Sequence, residues 1–121
     1  MALVMKFDDD CVFCKILKGQ EPCEKVYEDS FCFAFRDIAP QAPTHILVVP
    51  RAHIRSVAEL DRESSDLIGH TFAAISKIAR KEGIAEGGFR IVSNCGPDAG
   101  QTVPHLHFHL LAGKKMGDQW V

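Results

Sequence analysis

Hydrophobic and polar residues follow two different periods along the chain, and these periods predict the secondary structure. Apolar residues at three- and four-residue steps predict one long amphipathic helix over about residues 62–82. A shorter helical pattern, CVFCKILK, begins at Cys11 and stops before Gly19. Because so short a helix is marginal by itself, we expect it to pack against the rest of the protein.

Five further segments have the composition or the alternation of β-strands. Asp29 and Ser30 are turn residues that predict a hairpin between the first two of them, and the third ends at Pro50. The predicted strands cover residues 26–28, 31–36, 45–50, 89–94 and 105–111. Since the long helix separates the first three from the last two, this order favours an α+β domain with a largely antiparallel sheet over a doubly wound parallel one.

Composition and charge narrow the classes of protein that this chain fits. With 121 residues, of which 46% are hydrophobic, the whole chain is predicted to be one domain, with residues 1–8 as a loose tail. A formal net charge of -2 does not indicate electrostatic binding to nucleic acid. The N-terminal residues are unlike a secretory signal, and no run approaches the roughly 18 apolar residues that span a bilayer. We therefore expect a cytoplasmic protein that does not bind membranes, with reduced thiols.

Three of the chain's six histidines occur at every second position in the sequence HLHFHLL. Side chains alternate across a strand, so His105, His107 and His109 are predicted to share one face and the apolar residues between them the other. Three interpretations are open at this point: an exposed strand that is rich in histidine, a metal site, or nucleophilic catalysis by one imidazole.

The glycine-bearing loop before these histidines favours catalysis on a phosphate. It offers amide or hydroxyl donors, and small residues beside which main-chain N–H groups can approach an anion, at Asn94, Gly96, Gly100, Gln101 and Thr102. His107 is then the best-placed nucleophile, because either neighbouring histidine can assist it. The Thr102 hydroxyl, the Asn94 amide and His109 would stabilise charge on the phosphate oxygens. His45 would orient the row if its strand lies beside the last one.

Cys11 and Cys14 form a C-x-x-C at the start of the short helix, which is typical both of redox pairs and of metal sites. A thioredoxin-like pair would need a preceding βαβ pattern, which the sequence lacks. A zinc ion would need two further ligands to complete a tetrahedron, and His53 and His105 are the candidates.

Taken together, these motifs resemble the histidine triad superfamily from Cys11 to about Met116. HLHFHLL matches the alternating histidine signature of that superfamily. The stretches FAFRDIAPQAPTHILVVPRAHI and SNCGPDAGQTVPH are similar to its branch of nucleotide-binding proteins, the purine nucleoside phosphoramidases. The resemblance implies a homodimer whose two five-stranded sheets join into one. It also implies hydrolysis of the P–N bond of AMP or GMP amidates through a nucleotidyl-histidine intermediate, with no cofactor for the chemistry.

The resemblance also implies roles for individual residues. The nucleophile falls on His107, and the ribose contact falls on Asp37, whose carboxylate can accept hydrogen bonds from both sugar hydroxyls. The phosphate contacts fall on Asn94, Gly100, Gln101, Thr102 and His109. The base pocket falls on Phe13, Ile16, Phe35 and Ile38. As in many bacterial relatives, a structural zinc would be held by Cys11, Cys14, His53 and His105.

Two departures from the family pattern bear on the substrate. Thr102 stands where close relatives usually have serine, and the chain ends GDQWV in place of the Trp-Pro-Pro-Gly tail of animal relatives. Two alternative functions remain beside the phosphoramidase. One is hydrolysis of dinucleoside polyphosphates, and the other is a nucleotide-binding adaptor in which catalysis is incidental.

Overall fold

Five strands form one antiparallel sheet in the computed structural model, which describes residues 8–118. The strands are β1 (Lys25–Glu28), β2 (Cys32–Arg36), β3 (Thr44–Pro50), β4 (Phe89–Val92) and β5 (Phe108–Ala112). Their order across the sheet is β1-β2-β3-β5-β4, and each neighbouring pair is antiparallel. The predicted α+β class with an antiparallel sheet is confirmed.

Two α-helices pack on the sheet, a short α1 (Val12–Leu17) and a long α2 (Ser65–Lys81). A 3₁₀ turn leads into α2, and the Asp61 side chain caps that turn by accepting main-chain N–H groups. After α2 the chain turns at Gly83, whose φ of 73° suits glycine. Among residues 8–118, no helix has the length and apolar character needed to cross a membrane. Both helices lie where the sequence pattern predicted them.

Alternation along the strands divides the core into two layers. On one face, Ile75 and Ile78 of α2 pack against Cys32, Ala34, Ile46, Val48, Leu106, Phe108 and Leu110. On the other face, Phe13 and Cys14 of α1 pack against Phe33, Phe35, Leu47 and Val49. The apolar residues between the three histidines thus fill the α2 side, which leaves the His107 ring on the α1 side against Phe13.

The strand that was predicted over residues 105–111 begins later than expected, at Phe108. Before that point the main chain bonds elsewhere, because Leu106 N–H donates to Ile54 C=O at 2.6 Å and His105 N–H donates to Val103 C=O at 2.8 Å. His105 and His107 therefore lie outside the β-ladder. Their side chains still alternate with the apolar ones, because the backbone continues towards β5 without reversing faces.

The prediction of a loose tail over residues 1–8 falls, except for Asp8, outside the residues that the structure describes. Asp8 itself is bonded to the start of α1. Its C=O accepts the N–H of Cys11 at 3.0 Å, and its own N–H lies 3.4 Å from the sulfur of Cys14. Of the C-terminal sequence GDQWV, only Gly117 and Asp118 are described.

Candidate active site and metal cluster

One group of ligand atoms, here called the metal cluster, consists of Cys11, Cys14, His53 and His105. Cys11 caps α1, and its sulfur accepts the N–H of Cys14 at 3.5 Å, so both thiols come to the same end of the helix. Cys11 Sγ lies 3.4 Å from His105 Nδ1, and Cys14 Sγ lies 3.4 Å from His53 Nδ1. The two Nδ1 atoms are 3.1 Å apart. The structure thus brings together the four residues that were predicted as metal ligands.

These separations fit a tetrahedral zinc ion. Zinc bonds of about 2.3 Å to sulfur and about 2.0 Å to nitrogen place neighbouring ligand atoms roughly 3.3 to 3.8 Å apart. His105 donates its Nε2–H to Pro50 C=O at 2.8 Å, so the neutral ring turns the lone pair of Nδ1 towards the thiols. Burial lowers the pKa of His105 to about 4, which keeps the ring neutral, as a ligand must be.

The surroundings of the metal cluster also suit a cation. His53 Nε2 lies 4.0 Å from a carboxylate oxygen of Asp8, the kind of partner that commonly orients a zinc-binding histidine. Burial raises the pKa of the Cys14 thiol, so its thiolate form calls for a compensating positive charge nearby. The residues present therefore fit a structural zinc site in chemistry as well as in geometry.

The ring of His107 is held as a neutral base. Its Nδ1–H donates to His105 C=O at 2.7 Å, and since a neutral imidazole has a single N–H, the lone pair lies on Nε2. The ring of Phe13 packs edge-on at 5.0 Å and covers one side. Burial lowers the pKa of His107, so the lone pair is available near neutral pH. Nε2 of His107 thus has the free lone pair that a nitrogen nucleophile needs.

A second chain of hydrogen bonds, here called the histidine relay, runs from the main-chain N–H of Gln41 through His45 to His109. The N–H of Gln41 donates to His45 Nδ1 at 3.0 Å, so the proton of neutral His45 sits on Nε2. That Nε2 lies 2.8 Å from His109 Nδ1 and donates to it. His109 therefore keeps its own proton on Nε2, where it can serve a ligand as a donor. The pairing of β3 with β5 produces this contact. Leu47 lies opposite His109 and His45 lies opposite Leu111, so His45 and His109 are diagonal neighbours on one face of the sheet.

Asp37 lies beside the relay, immediately after β2. One carboxylate oxygen accepts the N–H of Ala39 at 2.8 Å, and the other lies 3.4 Å from His45 Nε2. The side chains of Asp37, His45 and His109 lie close enough together to hold a metal ion. The relay argues against that use, since a metal on His45 Nε2 would move the proton to Nδ1, where the N–H of Gln41 already points. Asp37 is instead an acceptor at the edge of the site.

The loop between β4 and β5 turns at Gly96 and Gly100, whose φ angles of 82° and 77° flank a 3₁₀ turn over Pro97–Ala99. Asn94 donates one side-chain N–H to Ala99 C=O at 2.7 Å and holds the turn closed. The N–H of Gly100 donates within the loop, to Pro97 C=O at 3.0 Å. The loop thus has a defined shape of its own, and Thr102 is exposed at its end.

Gln101, predicted as a phosphate contact, turns its side chain into the loop. Its Oε1 accepts the N–H of Gly96 at 2.9 Å, and its Nε2 donates to the carbonyls of Arg55 and Val103 at 2.7 Å and 3.0 Å. The main-chain N–H of Gln101 also donates to Gly96 C=O at 3.1 Å. In this structure the N–H donors of Gln101 are therefore used by the protein itself.

Three of the four residues predicted for a base pocket belong to one apolar cluster, and the fourth is exposed. Phe13 and Phe35 are buried with ring centres 5.7 Å apart, and Ile16 packs on the same cluster. Ile38 is 100% exposed on the loop after β2. Leu47 belongs to the apolar cluster but was not predicted, although its position two residues after His45 on β3 was a usable signal.

Comparison with known proteins finds matches that cover most of this chain. The chain matches the family model described as the HIT domain over residues 18–116. It is 42% identical over 109 residues to the purine nucleoside phosphoramidase of Escherichia coli (strain K12), covering 90% of this chain and 92% of that protein.

Two solved structures are similar to this chain in both fold and sequence. A histidine triad protein from Clostridium difficile has 46% identity and a TM-score of 0.90, and the match covers 94% of this chain and 99% of that one. A HIT family hydrolase from Clostridium thermocellum has 44% identity and a TM-score of 0.90, with 93% and 98% coverage. The resemblance seen in the sequence is confirmed.

Proposed function

The chain belongs to the HIT domain family, and from that premise we propose that it hydrolyses the P–N bond of purine nucleoside phosphoramidates. One observation carries the proposal. His107 presents an unprotonated Nε2, fixed by the hydrogen bond from its Nδ1 to His105 C=O. The name of the Escherichia coli relative, a purine nucleoside phosphoramidase, supports the choice of substrate.

In the first step, His107 Nε2 attacks the phosphorus of an AMP or GMP amidate, and the P–N bond to the leaving amine breaks. The amine takes up a proton from solvent through the Thr102 hydroxyl, and the nucleotide remains covalently bound to Nε2. The imidazole ring becomes positively charged in this intermediate. The carbonyl of His105, 2.7 Å from His107 Nδ1, stabilises that charge.

In the second step, water attacks the phosphorus and the bond to His107 Nε2 breaks. The products are AMP or GMP, a proton and neutral His107, so the enzyme returns to its starting state. In both steps the Nε2–H of His109 donates to a non-bridging phosphate oxygen. The histidine relay keeps the proton on that nitrogen, through the 2.8 Å hydrogen bond between His45 Nε2 and His109 Nδ1.

We propose the remaining nucleotide contacts from the positions of the side chains. Asp37 accepts the ribose hydroxyls with its carboxylate, and the base packs on the apolar cluster that contains Phe13 and Phe35. Ile38 is 100% exposed in the described structure, and a bound base would cover part of it. In the loop, Thr102 and the second N–H of Asn94 are the proposed phosphate donors, while Gly100 and Gln101 shape the loop around them.

We propose that the metal cluster binds zinc. Two thiolates and two neutral imidazoles complete a tetrahedral shell, so the bound ion supplies a structural cross-link and leaves no position for a reacting water. The cross-link would join α1, through Cys11 and Cys14, to His53 after β3 and to His105 before β5. The ligand separations of 3.1 to 3.6 Å support this assignment.

We also propose the homodimer that the sequence resemblance implies, with the two sheets joined through β4. In the described part of the chain, β4 lies at the edge of the sheet and is paired only with β5. Three large hydrophobic residues are exposed by 36 to 43%: Phe89 and Ile91 on β4, and Phe72 on α2, whose ring packs on Phe108 of the neighbouring β5. Pairing would cover both the free strand edge and this apolar surface. Sedimentation should show a dimer for the wild type and a monomer for Ile91→Glu.

Trapping the covalent intermediate is the direct test of the proposed function. Rapid quenching in alkaline denaturant, followed by mass spectrometry, should trap AMP on His107 of the wild type during turnover of an AMP amidate. His107→Asn should bind AMP and turn nothing over. Full activity in His107→Ala would refute the mechanism. A higher rate on diadenosine polyphosphate than on the AMP amidate would refute the proposed substrate and favour dinucleoside polyphosphate hydrolysis.

A further inference from the structure

The side-chain amide of Gln101 makes three hydrogen bonds, all to main-chain groups. Its Oε1 accepts the N–H of Gly96, and its two N–H bonds go to the carbonyls of Arg55 and Val103. A primary amide has only two N–H donors, so both are used. In this state the side chain has no donor left for a phosphate oxygen.

These hydrogen bonds join the two ends of the loop between β4 and β5 to each other, and join the loop to the segment that follows β3. Gly96 lies near the start of the loop and Val103 at its end, while Arg55 belongs to the segment after β3. The same segment holds the loop region at two further points. Leu106 N–H donates to Ile54 C=O at 2.6 Å, and Cys95 Sγ lies 3.3 Å from the hydroxyl oxygen of Ser56.

From this geometry we infer that Gln101 is a positioning residue that fixes the exposed hydroxyl of Thr102 for leaving-group protonation. Gln101 and Val103 are the two neighbours of Thr102 in the chain. The hydrogen bond from the side-chain amide of Gln101 to Val103 C=O closes the backbone around Thr102. The bond to Arg55 C=O then sets where this closed segment lies. The effect on catalysis rests on the proposed function, whereas the anchoring of the loop does not.

A change from amide to carboxylate is the most specific way to break the hydrogen bonds that the Gln101 side chain donates. Gln101→Glu keeps the size of the side chain but places a carboxylate against the carbonyl oxygens of Arg55 and Val103, which repel it. We expect kcat on an AMP amidate to fall about tenfold while the Kd for AMP changes less than about threefold, because base and ribose contacts are kept. Gln20→Glu, an exposed glutamine with the same charge change, is the matched control and should leave both unchanged.

The pH dependence of the variant gives a second measurement. A protonated carboxyl can again donate to one of the two carbonyls, so the ratio of variant to wild-type kcat should rise as the pH falls. Gln101→Ala has no group to titrate at this position, so its ratio to the wild type should not depend on pH. A ratio for Gln101→Glu that is equally independent of pH would overturn the inference.

A double-mutant cycle separates positioning from direct contact with the nucleotide. If Gln101 acts through Thr102, Gln101→Glu should lower kcat little further in a chain that already carries Thr102→Val. A full additional tenfold loss in that background would show that Gln101 acts on the substrate itself, and would overturn the inference.

Hydrogen exchange of the nucleotide-free protein tests the anchoring independently of any activity. In Gln101→Glu and in Gln101→Ala, amides of residues 95–103 should exchange at least about tenfold faster than in the wild type, while those of α2 stay the same. Unchanged exchange in the loop would overturn the inference. If the wild type hydrolyses no phosphoramidate, the proposed function fails, yet the exchange result still decides whether Gln101 holds the loop.

Discussion

The metal cluster and the histidine relay both use histidine, but with opposite ring nitrogens protonated. In the metal cluster, His105 gives its Nε2–H to Pro50 C=O and turns an unprotonated Nδ1 towards the thiols. In the relay, His45 accepts the N–H of Gln41 at Nδ1 and turns a protonated Nε2 towards His109. In each case one main-chain group decides which ring nitrogen keeps the proton. That group, and not the residue type, separates a ring that can bind a metal from a ring that donates a hydrogen bond.

The largest effect is expected from breaking the metal cluster with Cys14→Ser. We expect loss of bound zinc and a fall of about 3 kcal/mol or more in the free energy of unfolding, because the cross-link to α1 is lost. Metal analysis and urea denaturation of the purified protein measure the two effects. The matched control is His45→Phe in the relay, which should keep its zinc. Retention of a full equivalent of zinc by Cys14→Ser would contradict the assignment of the metal cluster.

Breaking the relay should affect turnover and not the metal. In His45→Phe, nothing fixes the proton of His109 on Nε2, so kcat should fall about a hundredfold while zinc stays bound. His45→Gln should recover part of that loss, because its amide N–H can donate to His109 Nδ1. Steady-state kinetics on an AMP amidate measure both variants. Wild-type turnover in His45→Phe would show that the relay has no part in catalysis.

Acid should weaken the relay through His109, whose pKa burial lowers from 6.5 to about 4. The unfolded chain then binds more protons than the folded one between these pH values, so the stability contributed by neutral His109 is complete above about pH 6.5 and lost towards pH 4. From about pH 7 to about pH 5, the free energy of unfolding should fall by about 1 to 2 kcal/mol more in the wild type than in His109→Gln. Urea denaturation with saturating zinc measures this difference, and equal pH slopes would contradict it.

The smallest effect is expected from deleting a single main-chain donor. Gln41→Pro removes the N–H that fixes the proton of His45, so NMR of the His45 ring nitrogens should show both tautomers, and kcat should fall about fivefold. Gln41→Ala keeps the N–H and should show the single tautomer of the wild type. If Gln41→Pro also shows only that tautomer, another group must hold the proton of His45.

Much of the fold could be predicted because strand and helix periods are local properties of the sequence. The five strands and both helices came from apolar spacing, and Cys11 and Cys14 came from the C-x-x-C at a helix start. The start of β5 was placed too early, since the bond between Leu106 N–H and Ile54 C=O joins residues far apart in the chain. Leu47 was missed, although alternation from His45 already pointed to it.

The sequence by itself determined the family, the antiparallel class and the side chains that we propose to carry the chemistry, with His107 as the nucleophile. The tertiary structure decided where each proton and each lone pair lies. For three of the histidines, main-chain groups set these positions: Pro50 C=O at His105, His105 C=O at His107 and the N–H of Gln41 at His45. Every residue has such main-chain groups, so no residue pattern marks the ones that matter, and only the folded arrangement selects them.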